Sequence, residues 1–135
     1  MAGSLVGKKS VTWTFVAPDE EAASALRVFF DSHIEFMREK SHREGEFRLH
    51  LYYISEAPEY SHDPEEFNAW FSGKYPKKTG KVVFTLNEIY DTEKGLHHHY
   101  IESEQFKEST LSLMQTYDIE LRTFNQMDIK MSLWE

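Results

Sequence analysis

Residues 81–106 read KVVFTLNEIYDTEKGLHHHYIESEQF, and this stretch decides the fold because it passes from a strand pattern to a helix pattern within a few residues. Its first part alternates apolar side chains over two faces, as a β-strand does. Thr92 then stands directly before Glu93, which is typical of a helix N-terminus, where a hydroxyl accepts a hydrogen bond from an early backbone N–H. The stretch therefore predicts a strand, a tight turn and a helix.

The remaining elements follow from the same two periodicities, alternation for strands and spacings of three and four for helices. In chain order the sequence predicts a strand over residues 10–16, a helix over 19–42, a strand over 47–54, a second helical segment over 104–117 and a final strand, or two joined near Asn125, over 119–133. The order is β-α-β-β-α-β. This is the order of the ferredoxin-like α+β fold, in which two helices cover one face of a four-stranded antiparallel sheet.

Two segments lie outside this pattern. Residues 1–9, with two glycines and two lysines, predict a flexible N-terminal arm, and residues 10–135 fit a single domain. Residues 55–80 hold three of the four prolines and predict a long excursion with one or two helical turns at 64–71, which Asp63 can cap. Connections of this length are uncommon in compact domains and are often lids or interaction elements.

Both faces of the third predicted strand carry apolar side chains. It carries Val82, Phe84 and Leu86 on one side and Val83 and Ile89 on the other. The helices can cover only one side of the sheet, so the other would leave an apolar surface in water. The sequence therefore predicts a homodimer in which two copies pack sheet against sheet.

Composition excludes several classes of function. A formal net charge of -8 argues against a nucleic-acid partner. No apolar run approaches the roughly 18–20 residues of a membrane span, and the first residues lack the apolar core of a signal peptide. The sequence contains no cysteine, which excludes disulfides and thiolate metal ligands. These features predict a cytoplasmic protein with no membrane association.

Three consecutive histidines, His97, His98 and His99, occupy the predicted helix. Adjacent helical residues point about 100° apart, so three in a row cannot share one metal ion, and the sequence predicts no metal site. His97 and His98 are expected to be exposed or half-exposed on the helix surface. His99 lies three residues after Leu96 and can point toward the sheet, either as a packed core histidine or as a site residue.

The second strand offers another candidate surface. Arg48, His50 and Tyr52 alternate on one face, where they could line a cavity for a flat ligand or form a solvated or dimer-facing surface. His33, on the first helix, continues an apolar stripe and is expected to pack rather than take part in chemistry. Trp70, within the excursion, is expected to plug one end of the core or to close a pocket as a lid.

The stretch from 87 to 106 resembles the signature of the antibiotic biosynthesis monooxygenase domain, a family of small dimeric α/β-barrel proteins. In that signature a strand ends in Glu-x-Tyr, and a turn, a small residue, a helical His and Ser-x-x-Phe follow. The matching residues are Glu88 and Tyr90 at the strand end, Gly95 where the family usually has Ala, His99 on the helix, and Ser103 with Phe106.

This resemblance implies a dimeric α/β barrel and a monooxygenase that oxidises small aromatic, quinol-like molecules with O₂ and no cofactor. It implies that His99 is the base or hydrogen-bond partner, with Tyr52 or Tyr90 orienting. The haem-degrading branch of the family carries an axial His where this chain has Thr110, so haem is not expected.

A second hypothesis belongs to another class of protein. On this hypothesis the chain is a dimeric barrel without catalysis, either a binder of a small ligand or an interaction module. A void between helices and sheet favours the enzyme, and a filled interior favours the second class.

Overall fold

The computed structural model describes residues 4–134 as an α+β arrangement with one four-stranded antiparallel sheet. The elements are β1 (Lys9–Ala17), α1 (Glu20–Lys40), β2 (Leu49–Tyr60), β3 (Lys78–Tyr90), α2 (Glu93–Glu102), α3 (Lys107–Tyr117) and β4 (Glu120–Asp128), with short 3₁₀ helices at Pro64–Ser72 and Glu104–Phe106. The strands lie in the order β2-β3-β1-β4. The predicted α+β class and antiparallel sheet are confirmed.

The helix starts are fixed by capping side chains. Asp19 accepts a hydrogen bond from the backbone N–H of Ala22 at 2.9 Å, which begins α1. The hydroxyl of Thr92 accepts one from Gly95 at 3.2 Å, which begins α2 and confirms the cap expected from the sequence. Replacing such a cap by alanine typically costs about 1 kcal/mol of stability.

The core lies between the helices and one face of the sheet. Phe15 of β1 and Phe84 of β3 meet Leu26 and Phe30 of α1, and all four side chains are buried. The Phe15 and Phe30 rings pack edge to face with centroids 5.2 Å apart. Burying one such side chain stabilises the fold by roughly 1.5–3 kcal/mol.

The opposite face of the sheet is open. Leu51, Tyr53 and Phe124 lie on it with 43%, 47% and 40% of their surfaces exposed. Thr12 and Asn87, which pair across β1 and β3, lie on the same face and are joined by a side-chain hydrogen bond of 3.2 Å. Apolar and polar groups therefore mix on this face.

Two strands differ from the predicted pattern. The pairing of β2 with β3 is irregular between Leu49 and Leu51, so Leu49 packs against the helix-side core while Leu51 is exposed on the open face. Strict alternation along the predicted strand over residues 47–54 would place both on one face. The last strand ends at Asp128 rather than 133, just after Gln126 adopts a positive φ of 56°.

The predicted excursion is shorter than 55–80 because β2 and β3 extend into it as a hairpin, leaving 61–77 as the connection. Asp63 caps its 3₁₀ helix as expected. Of the predicted arm, residues 1–3 lie outside the described residues, as does 135. Gly7 donates a backbone hydrogen bond to Ile129 at 3.0 Å, and Lys8 pairs with Asp91 at 2.8 Å.

Within residues 4–134, no helix has the length and apolar character needed to cross a membrane.

Candidate functional site

A cavity of about 430 Å³ opens between the helices and the covered face of the sheet. This volume lies within the roughly 300–1,000 Å³ of small-molecule sites. Its wall is formed by Trp13, Phe15, Phe29, His33, Leu86, Glu88, His99, Tyr100, Ser103, Glu104, Phe106, Lys107, Thr110, Leu111 and Leu121. Most of these side chains are apolar or aromatic, and the exposed Glu104 and Lys107 mark the side that faces water.

Glu88 is the buried carboxyl in this wall. It lies on the helix-covered face of β3 with only 3% of its surface exposed. Its Oε2 accepts a hydrogen bond from the Tyr90 hydroxyl at 3.3 Å. Burial raises the pKa of Glu88 to about 8, because the charged form would lose its hydration, so the carboxyl is neutral at pH 7.

His99 faces Glu88 from α2. Its Nε2 lies 3.4 Å from Glu88 Oε2, and 11% of its side chain is exposed. Burial, with smaller contributions from His33 and His98, lowers the pKa of His99 to about 4. The imidazole is therefore neutral at pH 7 and able to accept a proton.

Gly95 allows helix α2 to lie close to the backbone of Phe47. A Cβ at Gly95 would lie 3.2 Å from backbone atoms of Phe47, closer than most Cβ contacts. One turn further along the helix, Ser103 Oγ lies 3.3 Å from Nδ1 of His99. Ser103 directly precedes the 3₁₀ helix at Glu104–Phe106, and its side chain makes no capping hydrogen bond there.

A second histidine lies in the same wall. His33 of α1 has its ring centroid 6.3 Å from that of His99, and its Nδ1 is hydrogen-bonded to the Tyr52 hydroxyl at 2.8 Å. Burial lowers the pKa of His33 to about 4 and raises the pKa of Tyr52. His33 was expected to be a packing residue only, yet it borders the cavity.

The predicted site residues divide into two groups. His99 lines the cavity, whereas the hydroxyls of Tyr52 and Tyr90 bond His33 and Glu88, which do line it. The two tyrosines therefore orient cavity residues other than His99. Each hydroxyl lies behind the cavity wall.

The other two histidines of the run differ from each other. The side chain of His97 is 65% exposed beside Glu93. His98 is half-buried, because its ring stacks on Phe47 with centroids 4.3 Å apart. Both positions agree with an exposed or half-exposed helix surface.

The predicted alignment of Arg48, His50 and Tyr52 on one face does not form a single surface. Tyr52 points toward the helices and packs against the core. Arg48 instead pairs with Asp91 at 3.1 Å, away from the cavity. These residues therefore do not line one pocket together.

Glu88 is the residue that sequence reasoning used only as part of a motif. It stands between Leu86 and Tyr90 at alternating positions, so it shares their buried face. A carboxyl on the apolar face of a central strand is rare unless it is paired. The alternation that places Glu88 among buried apolar residues was the sequence feature that could have indicated a site.

Within the described part of the chain, no group of three or more His, Asp or Glu side chains is arranged to hold a metal ion.

Comparisons with known proteins leave the family open. No protein-family model and no curated protein matches the chain. Among solved structures, it is similar to a de novo designed protein, Foldit4, at 12% sequence identity and a TM-score of 0.46, over 89% of this chain and 99% of that one. This likeness carries no argument about function.

Proposed function

We propose that the protein binds a small aromatic, quinol-like molecule in the cavity and oxidises it with O₂ without a cofactor. The observation that supports this most directly is a neutral histidine, His99, in the wall of an apolar cavity large enough for such a ligand. The resemblance of 87–106 to the antibiotic biosynthesis monooxygenase signature supports the same reaction class.

The chemistry requires one proton acceptor and an environment with little water. His99 takes a proton from the bound molecule, which raises the electron density of its ring system so that the molecule itself reduces O₂. For a methylene carbon activated in this way, one oxygen atom of O₂ becomes the new carbonyl and the other leaves as water. Trp13, Phe29 and Phe106 surround the ligand and exclude bulk water.

The proposal includes the architecture that the resemblance implies, a ferredoxin-like fold pairing into a dimeric α/β barrel. Support comes from the β2-β3-β1-β4 order and from the open face of the sheet, where Leu51, Tyr53 and Phe124 are exposed. Packing two such faces together would remove these side chains from water.

The test is O₂ consumption with a panel of anthrone- and quinol-type compounds. His99→Ala should lower turnover by about 10²-fold or more, the usual scale for removing an acid–base group. His97→Ala is the matched control, because it removes the same group from an exposed neighbouring position and should leave turnover unchanged. Melting curves show whether each variant is folded.

Two outcomes count against this proposal. If the wild type consumes O₂ no faster than the uncatalysed reaction but binds the compounds, the protein is a non-catalytic small-ligand binder. If His99→Ala unfolds the protein, the histidine has a structural role and the assigned base is wrong.

A further inference from the structure

Glu88 has an oxygen that the protein leaves without a partner. Both close contacts of the carboxyl, from Tyr90 and from His99, are made by Oε2. Within residues 4–134, Oε1 makes no hydrogen bond to the protein, and the small exposed part of Glu88 borders the cavity. An oxygen that borders a cavity without a protein partner is open to a hydrogen bond from water or from a ligand atom.

The protonation states of the two facing groups are complementary. The carboxyl of Glu88 is neutral and can donate its proton, whereas the imidazole of His99 is neutral and can accept one. An environment that raises the pKa of one group and lowers that of another allows a single site to supply an acid and a base at the same pH. Both groups line the same cavity, 3.4 Å apart.

We infer that Glu88 and His99 act together as the acid and the base of a keto–enol proton transfer on an aromatic ketone that has an acidic C–H beside its carbonyl. This inference rests on the ligand site of the proposed function and not on its reaction with O₂. Glu88 touches the ligand oxygen and is in that sense a catalytic residue.

The step balances without a co-reactant. His99 takes the proton from carbon, and the electron pair of that C–H bond forms the new C=C bond. The electrons of the carbonyl π bond move to oxygen, which takes the proton of Glu88. The product is the enol, and a proton passing from His99 to Glu88, directly or through water, restores the starting state.

Tyr90 is a positioning residue for this step. Its hydroxyl donates to Oε2 of Glu88 and stabilises the carboxylate that remains after proton transfer. Tyr90 does not line the cavity, so its effect on the reaction passes through Glu88.

The experiment measures hydrogen–deuterium exchange at the α-carbon of 2-tetralone in D₂O under argon, followed by proton NMR. The wild type should accelerate exchange over buffer. Glu88→Gln, which keeps a donor but cannot release a proton, and His99→Ala should each lower the enzymatic rate by about 10²-fold. His97→Ala should exchange at the wild-type rate. Melting curves accompany every variant.

The pH profile separates a chemical role from a structural one. The titratable groups facing Glu88 are Tyr90 on β3, Tyr52 on β2, and His99 and Tyr100 on α2, and His33 on α1 faces His99. Exchange should rise with pH as His99 deprotonates near pH 4 and fall as Glu88 ionises near pH 8. In Glu88→Gln the alkaline fall should be absent.

The outcomes distinguish this inference from the proposed oxygenation. A wild-type exchange rate equal to that of buffer overturns the inference, as does wild-type exchange by a folded Glu88→Gln. Exchange that depends on Glu88, with no O₂ consumption on any compound, upholds the inference and refutes the oxygenation. If Glu88→Gln does not fold, Tyr90→Phe replaces it and should slow exchange by about 10-fold, less than the roughly 10²-fold of a direct acid or base because Tyr90 acts through Glu88. An unchanged rate then overturns the inference.

Discussion

Each face of β3 departs in its own way from the usual rule that apolar side chains are buried and polar side chains are exposed. The helix-covered face carries Phe84, Leu86 and Tyr90, all buried, and interrupts them with the carboxyl of Glu88. The face on the other side carries Ile89, and its neighbours on the adjacent strands include the exposed Leu51. A polar group thus lies in the interior, and apolar groups lie on the surface of the same sheet.

The difference between the faces indicates two different kinds of partner. The Glu88 carboxyl borders a cavity that is open to water on one side, so it can take a hydrogen-bonding partner of small size. The exposed apolar side chains of the broad sheet face would instead be covered by a large apolar partner, such as the second copy proposed above.

The largest expected effect separates the faces by stability. Phe84→Ala should lower the free energy of unfolding by about 3–5 kcal/mol, because the ring is fully buried and its removal leaves a cavity. Val83→Ala changes the adjacent residue on the open face and should cost less than about 1.5 kcal/mol. Urea denaturation at one protein concentration measures both, and equal losses would show that the faces are equally packed.

The next effect concerns assembly. The wild type should sediment as a dimer of the 16.0 kDa chain at micromolar concentration. Phe124→Asp should weaken the dimer by about 100-fold, or about 2.7 kcal/mol, because it places a charge in each half of the apolar contact. Phe71→Asp makes the same change at an exposed aromatic residue in the 61–77 connection and serves as the control.

Sedimentation equilibrium decides this prediction. A wild type that remains monomeric at micromolar concentration would show that the open face has no second copy as partner. If Phe71→Asp also dissociated the dimer, the interface would extend beyond the sheet to the 61–77 connection.

The smallest effect is a pH dependence that arises only on the covered face. The folded-state pKa of Glu88 is about 8 against an ordinary 4.5, so Glu88 binds more protons in the folded state than in the unfolded state until the pH reaches about 8. Between pH 6.5, the ordinary pKa of histidine, and pH 8 the folded state therefore binds more protons than the unfolded state. Stability therefore falls as pH rises through this window, by up to about 1.4 kcal/mol per pH unit.

Below this window the two buried histidines act in the opposite direction. His33 and His99 have folded-state pKa values of about 4 against an ordinary 6.5, so between those values the unfolded state binds more protons. Stability therefore rises with pH there, and this cluster places the maximum near pH 6.5. Urea denaturation of Glu88→Gln should show no fall between pH 6.5 and 8, and a wild-type slope in that variant would refute the assignment.

The parts of the fold that sequence predicts are those set by local chemistry. Thr92 precedes α2 and caps it because the hydroxyl and the N–H that it accepts from are three residues apart. The alternation in β1 and β3 likewise gives their faces directly. The phase of β2 was wrong because FRLHLYYI alternates without interruption, and the irregularity between Leu49 and Leu51 arises only in pairing with β3.

The candidate site was less predictable for a related reason. The spacing of His99 after Leu96 allows it to face the sheet, and the structure places it in the cavity wall. Its neighbour Glu88 comes from strand β3 whereas His99 lies on helix α2, so their 3.4 Å separation is a tertiary feature. His33 continued an apolar stripe, and no local pattern shows that this part of the stripe borders empty space.

The contact between Gly95 and Phe47 has a consequence for protein engineering. The 3.4 Å separation of His99 and Glu88 is slightly beyond an ordinary hydrogen bond, and a methyl group at Gly95 would displace α2 by a few tenths of an ångström. That displacement is similar in size to the amount by which the 3.4 Å separation exceeds an ordinary hydrogen-bond length. The rate at which a proton crosses between the two groups is therefore adjustable from Gly95, one helical turn before His99 on the same side of α2.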